Sequence, residues 1–137
     1  MGAIHKTTTA FKGKMEFESV INGHHITIDT VEAGGGENNG PNPKPLILSA
    51  LAGCTGMDVV NVLNKMHATY SDFSIDVDAD LTDEHPRVYS EIRVTYRIKT
   101  EDREKMEKAV NLSKDSYCGV SAMMAKVCPV KFEIVYL

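Results

Sequence analysis

The sequence predicts an α+β domain: a mostly antiparallel sheet packed on a long central helix. Three observations carry that prediction. Several segments alternate apolar and polar residues with the period of a half-buried strand. One helical segment, roughly Lys44 to Ala68, is apolar or small on every face of its first half, as in a helix buried all round. The chain has 137 residues, enough for one ordinary core, so residues 1–137 are expected to form a single domain.

Taken in order, Ile4 to Phe11 reads as a first strand. Lys14 to Ile21 alternates, with Met15, Phe17 and Ile21 opposite Lys14, Glu16 and Glu18. Asn22-Gly23 comes next, the dipeptide that best tolerates the positive φ of a type I′ turn. Ile26 and Ile28 then alternate with Thr27 and Asp29, completing a hairpin. Ala33 to Pro45 carries four Gly and three Pro and is expected to be a flexible loop. Pro43 and Pro45 suit the first turn of the long helix, and Asn42 is a candidate cap. Gly53 and Gly56 inside that helix cost together about 2 kcal/mol relative to Ala. With Ala50, Ala52 and Thr55 beside them, they form a small-residue surface that lets another backbone approach. A sheet covers one side of a helix, so a second subunit is expected on the other.

Phe73, Ile75, Val77, Ala79 and Leu81 alternate with serine and aspartates. After a turn at 82–86, Ile92, Val94, Tyr96 and Ile98 alternate with mostly basic residues, as expected of a neighbouring strand with complementary charge. Thr100-Glu101-Asp102 looks like a cap and acidic first turn for a helix to about Lys114. A short helix starts near Tyr117 and ends before Cys128-Pro129. Phe132, Ile134 and Tyr136 close the chain as a strand. Met57, Met66, Met106, Met123 and Met124 fit a helical core.

Composition narrows the function. A net charge of −4 with no basic block argues against a nucleic-acid partner. The N-terminal residues hold no long apolar stretch of a secretory signal. The longest uncharged run, Pro45 to Met57, is 13 residues, short of the roughly 20 that span a membrane. No membrane partner is expected, and the location expected is cytoplasmic, where the three Cys stay mostly reduced. The five His and three Cys show no CxxC, HxH or HExxH spacing, so neither metal nor cofactor is expected. No serine lies in a nucleophile-elbow context.

The cysteines remain. Cys118, in Ser116-Tyr117-Cys118-Gly119-Val120-Ser121, lies at a helix start, where unpaired N–H groups and the helix dipole favour a thiolate. Cys54 sits within the long helix among short neighbours that leave room to reach its sulfur. Cys128, at a helix exit before Pro129, reads as structural.

Asn42-Pro43-Lys44-Pro45-Leu46, Ala50-Leu51-Ala52-Gly53-Cys54 and Tyr117-Cys118-Gly119-Val120-Ser121 together resemble the OsmC/Ohr family, the osmotically inducible and organic hydroperoxide resistance proteins. The resemblance extends to the element order, the Gly-rich loop and the 64-residue step between the two Cys. It implies an intertwined homodimer and a thiol peroxidase for organic hydroperoxides. Cys54 would attack the O–O bond and become a sulfenic acid, Cys118 would resolve it as a disulfide, and a dithiol reductant would reset the pair. The family activates its first cysteine with a Glu ten residues upstream and an Arg from the N-terminal strands. Here that upstream position is Lys44, and the first Arg in the chain is Arg87. An OsmC-fold small-molecule binding protein, or an enzyme with other thiol chemistry, is therefore the alternative expectation.

Overall fold

A computed structural model describes residues 2–137. The elements are β1 (Thr7–Gly13), β2 (Glu16–Ile21), β3 (His24–Ile28), α1 (Pro43–Lys65), β4 (Tyr70–Leu81), β5 (Tyr89–Thr100), α2 (Arg103–Leu112), α3 (Gly119–Ala125) and β6 (Val130–Tyr136). A 3-10 turn covers Glu32–Gly34, and a π-helical turn covers Ser113–Tyr117. The chain divides into two compact units, Met1–Ile47 and Leu48–Leu137.

The first unit is the antiparallel sheet β1-β2-β3 with the loop C-terminal to it. Asn22 and Gly23 both adopt the positive φ that a primed hairpin turn requires, at 51° and 80°. Phe11, Phe17 and Ile28 stand opposite one another across the three strands. Phe11 and Phe17 pack with their rings tilted by 50° and 5.4 Å between centroids and remain exposed, as do Ile21 and Ile26.

The Gly-rich loop, expected to be flexible, is tied down. The buried carboxylate of Asp29 accepts the backbone N–H groups of Thr30 (2.7 Å), Glu37 (3.2 Å) and Asn39 (3.0 Å). These bonds hold its pKa below the usual carboxylate range. Gly36 and Gly40 press on β3 and its exit. A Cβ on Gly36 would fall 2.2 Å from the Thr30 carbonyl oxygen, and one on Gly40 would fall 2.4 Å from that of Thr27.

The second unit contains the core. β4 pairs antiparallel with β5, and β6 adds to the far edge of β5 in parallel. Two three-stranded sheets therefore replace the single sheet expected, although three of the four strand pairings are antiparallel. Ile92, Val94, Tyr96 and Ile98 of β5 are fully buried with Leu51, Val59 and Leu63 of α1 and Met106 and Ala109 of α2. The outer face of the β4–β5 ribbon is laced by ion pairs, Arg93 with Asp78 and Asp80, and Arg97 with Asp76. By length and composition alone α1 could cross a membrane, but one side of it builds this core.

Two local expectations differ. Asp102 holds the N-cap position of α2, but its side chain makes no cap bond; its Oδ2 accepts the Thr69 N–H at 2.8 Å, joining two loops instead. Of the methionines, Met106 is buried, but Met57 is 77% and Met123 58% exposed. A helical apolar period locates a stripe without saying whether this chain covers it.

Candidate functional site

Residues distant in sequence converge where the middle of α1 meets the end of α2 and the start of α3. On α1, Cys54 and Asp58 are four residues apart and share a face. Cys118 arrives through the π-helical turn, which closes with the Cys118 N–H donating to the Ser113 carbonyl at 2.8 Å. Such a turn adds a residue to the helical ladder and re-aims the chain beyond it. Here it ends α2 and presents Cys118 as the cap of α3. The Cys118 Sγ accepts the Ser121 N–H at 3.3 Å, and the Ser121 hydroxyl donates back to the Cys118 carbonyl at 3.1 Å. The sulfurs of Cys54 and Cys118 and a carboxylate oxygen of Asp58 all lie within 4.8 Å of one another.

A buried polar chain supports this cluster. Tyr96 Oη lies 2.6 Å from Thr55 Oγ1, which lies 2.8 Å from Ser113 Oγ, which donates to Asp58 Oδ2 at 3.0 Å. A hydroxyl has one proton. Ser113 gives its proton to Asp58, so it must accept from Thr55, and Thr55 must accept from Tyr96. The chain therefore runs one way, from the tyrosine on β5 to the carboxylate. Burial pushes the Tyr96 phenol up to about 12, which keeps it a donor. No buried side-chain polar atom among the described residues is left without a partner.

All three cysteines are free thiols. Burial raises the Cys54 pKa, the neighbouring Cys118 and Asp58 raise it further, and the Val120 backbone N–H partly opposes them. No Lys, Arg or His is among these influences. The sequence pattern brought Cys54 and Cys118 forward, and they do meet. Cys128 is buried in the segment between α3 and β6, apart from the cluster. Asp58 and the chain behind it were not anticipated. The one signal was the Cys54–Asp58 spacing, and its meaning depends on where Cys118 lands.

Beside Asp58 an open groove of about 600 Å³ runs along α1 and α2, lined by Asn61, Val62, Lys65, Lys108, Leu112 and Tyr117. It gives solvent and small molecules a route to the carboxylate.

OsmC-like proteins, as a family, match residues 35–133, nearly three-quarters of the chain and both cysteines. The chain belongs to the OsmC-like family. Protein YhfA of Escherichia coli strain K12 is 28% identical over 117 residues, covering 82% of this chain and 84% of YhfA. A hypothetical protein from Aquifex aeolicus superposes with a TM-score of 0.86 at 27% identity, covering 99% of this chain and 98% of that one. The organic hydroperoxide resistance protein OhrB of Bacillus subtilis shares the fold, with a TM-score of 0.68 at 21% identity over 97% and 98% of the two chains. The OsmC-like fold thus accounts for the α+β architecture.

Proposed function

We propose that this OsmC-like protein is a thiol peroxidase for organic hydroperoxides, working through Cys54 and Cys118. The observation that carries the reading is the approach of the two free sulfurs, within 4.8 Å, with the Ser121 N–H donating to Cys118 Sγ. A disulfide needs about 2.05 Å, a distance side-chain rotation can close. The Cys54 thiolate attacks the distal oxygen of the hydroperoxide. The O–O bond breaks, Cys54 becomes a sulfenic acid, and the alkoxide takes a proton and leaves as alcohol. The Cys118 sulfur then attacks the sulfenic sulfur, giving the disulfide and water. A dithiol reductant returns both thiols and is itself oxidised to a disulfide. Organic hydroperoxide resistance proteins such as the B. subtilis relative have this fold, which supports the substrate class.

A specific observation favours a second reading. The groups acting on Cys54 include an acid and a thiol but no cation, an environment that holds the nucleophile in its less reactive form. On that reading the chain is a small-molecule binding protein, or does other thiol chemistry.

The quaternary reading is a homodimer. One side of α1 builds the core, while Gly53, Met57 and Asn64 on another side are exposed. A reducing, cytoplasmic setting fits the three free thiols.

The test is intact mass and free-thiol count before and after one equivalent of an organic hydroperoxide, on chelator-treated protein. Wild type should lose two thiols. Cys118→Ser should accumulate a sulfenic acid, and Cys54→Ser should not react quickly. Retention of all thiols in wild type over minutes rejects the peroxidase and leaves the binding reading.

A further inference from the structure

We propose that Cys54, Cys118 and Asp58 form a site for one thiophilic divalent cation, zinc in the first instance, in the reduced protein. Zn–S bonds of about 2.3 Å and Zn–O bonds of about 2.0–2.2 Å place two ligand atoms of a tetrahedral ion about 3.6–3.8 Å apart. The two sulfurs and the carboxylate oxygen already lie within 4.8 Å of one another. Contraction by about 1 Å, within the reach of side-chain rotation, brings all three onto one centre. Three protein ligands leave a fourth position open, and the groove beside Asp58 lets solvent or a small molecule fill it.

The surrounding bonds are those a metal site requires of its outer shell. Ser113 occupies Oδ2 of Asp58 and leaves the other carboxylate oxygen for the ion. The Ser121 N–H donates to Cys118 Sγ and orients that sulfur. Charge points the same way. The carboxylate and two thiolates would together carry three negative charges, and no Lys, Arg or His is among the groups acting on Cys54. A divalent cation at the centre offsets two of those charges. The sequence hides the site because its ligands belong to no single motif: two lie a turn apart on α1, and the third is 60 residues beyond Asp58.

The chemistry is proton displacement: the ion binds, two S–H protons leave, and no electrons move. The ion uses the same sulfurs as a Cys54–Cys118 disulfide, so the two states exclude each other. Metal binding does not depend on peroxidase activity, and either can fail alone.

The experiment is an anaerobic titration of the reduced, full-length protein with Co2+. The expected result is a thiolate-to-cobalt charge-transfer band saturating at one ion per chain, release of about two protons per ion, and loss of the band on adding Zn2+. Cys54→Ser and Cys118→Ser should each remove about half the charge-transfer intensity or more, because each deletes one of the two thiolates. Asp58→Asn should weaken binding by at least the roughly 10–100-fold that loss of an outer-shell partner costs, whereas Cys128→Ser should change nothing. Circular dichroism of each variant reports folding. Should a cysteine variant fail to fold, Asp58→Asn, at a partly exposed position, decides the matter. Absence of the band in wild type, or unchanged affinity in folded Asp58→Asn, overturns the proposal.

Discussion

Cys54 is set against its own reactivity. Burial, Cys118 and Asp58 oppose ionisation of this thiol, and the Val120 N–H at the start of α3 only partly offsets them. That balance sets the sign of the pH effect. A thiol whose pKa is raised is mostly protonated at neutral pH, and its thiolate fraction keeps growing above about pH 8.5, where an ordinary cysteine is already half ionised. In chelator-treated protein the rate of Cys54 oxidation by an organic hydroperoxide should therefore still climb through that range. Asp58→Asn removes a negative charge beside the sulfur and should move the profile to lower pH, raising the rate at neutral pH. Stopped-flow thiol consumption across pH checks both statements. A profile unmoved by Asp58→Asn would mean that the carboxylate does not act on the sulfur. Position at a helix start singled out Cys118 in the sequence, and the family resemblance brought Cys54 forward. The balance of charges around them was not legible, because Asp58, Thr55, Tyr96 and Ser113 meet only after α1, β5 and the π-helical turn have packed.

Elements whose signals are local were legible. Asn22-Gly23 specified its turn because the dipeptide itself carries the conformational preference, and alternation located β4 and β5. Pairing was legible where a turn joins consecutive strands, as in β2–β3 and β4–β5, and not elsewhere. Period-two alternation shows which residues share a face but does not name the neighbouring strand, so the parallel addition of β6 to β5 and the split into two sheets came only with the structure. The Gly-rich loop went the same way. Glycines suggest freedom, yet Gly36 is present because a backbone lies against it and because Asp29 fastens the loop on both sides. Gly36→Ala should accordingly destabilise the protein by about 1–3 kcal/mol through overpacking, read as a lower midpoint in urea. Gly53 provides the contrast: a Cβ there meets no atom within 4 Å in one chain. Equal midpoints for Gly36→Ala and wild type would show that the loop gives way without cost.

At the scale of the whole molecule, α1 is only half explained by one chain. Leu51, Thr55, Val59 and Leu63 are buried, whereas a shallow, mainly apolar groove runs along Gly53, Gly56, Met57, Val60 and Phe73. Met57 is 77% exposed at its middle. Placing Met in water at the centre of an apolar strip leaves about 1.5–3 kcal/mol of burial unrealised for that side chain alone. Two Gly within the same helix cost about 2 kcal/mol more in helix propensity. The Met57 and Gly53 costs are offset if a second copy lies across this face, because the absent side chain at Gly53 then allows close approach and Met57 gains a partner surface; Gly56 already lies against Ile75 of β4, where a Cβ would fall 3.0 Å from Cδ1. Sedimentation should therefore give a dimer for wild type. Met57→Lys, which places a charge in the strip without touching the core, should shift the protein toward monomer with its circular dichroism unchanged. A wild-type monomer at micromolar concentration would leave the exposed strip without this explanation. A Met57→Lys dimer as tight as wild type would move the interface elsewhere, with the exposed apolar side chains Phe11, Phe17, Ile21 and Ile26 of the first unit the next surface to test.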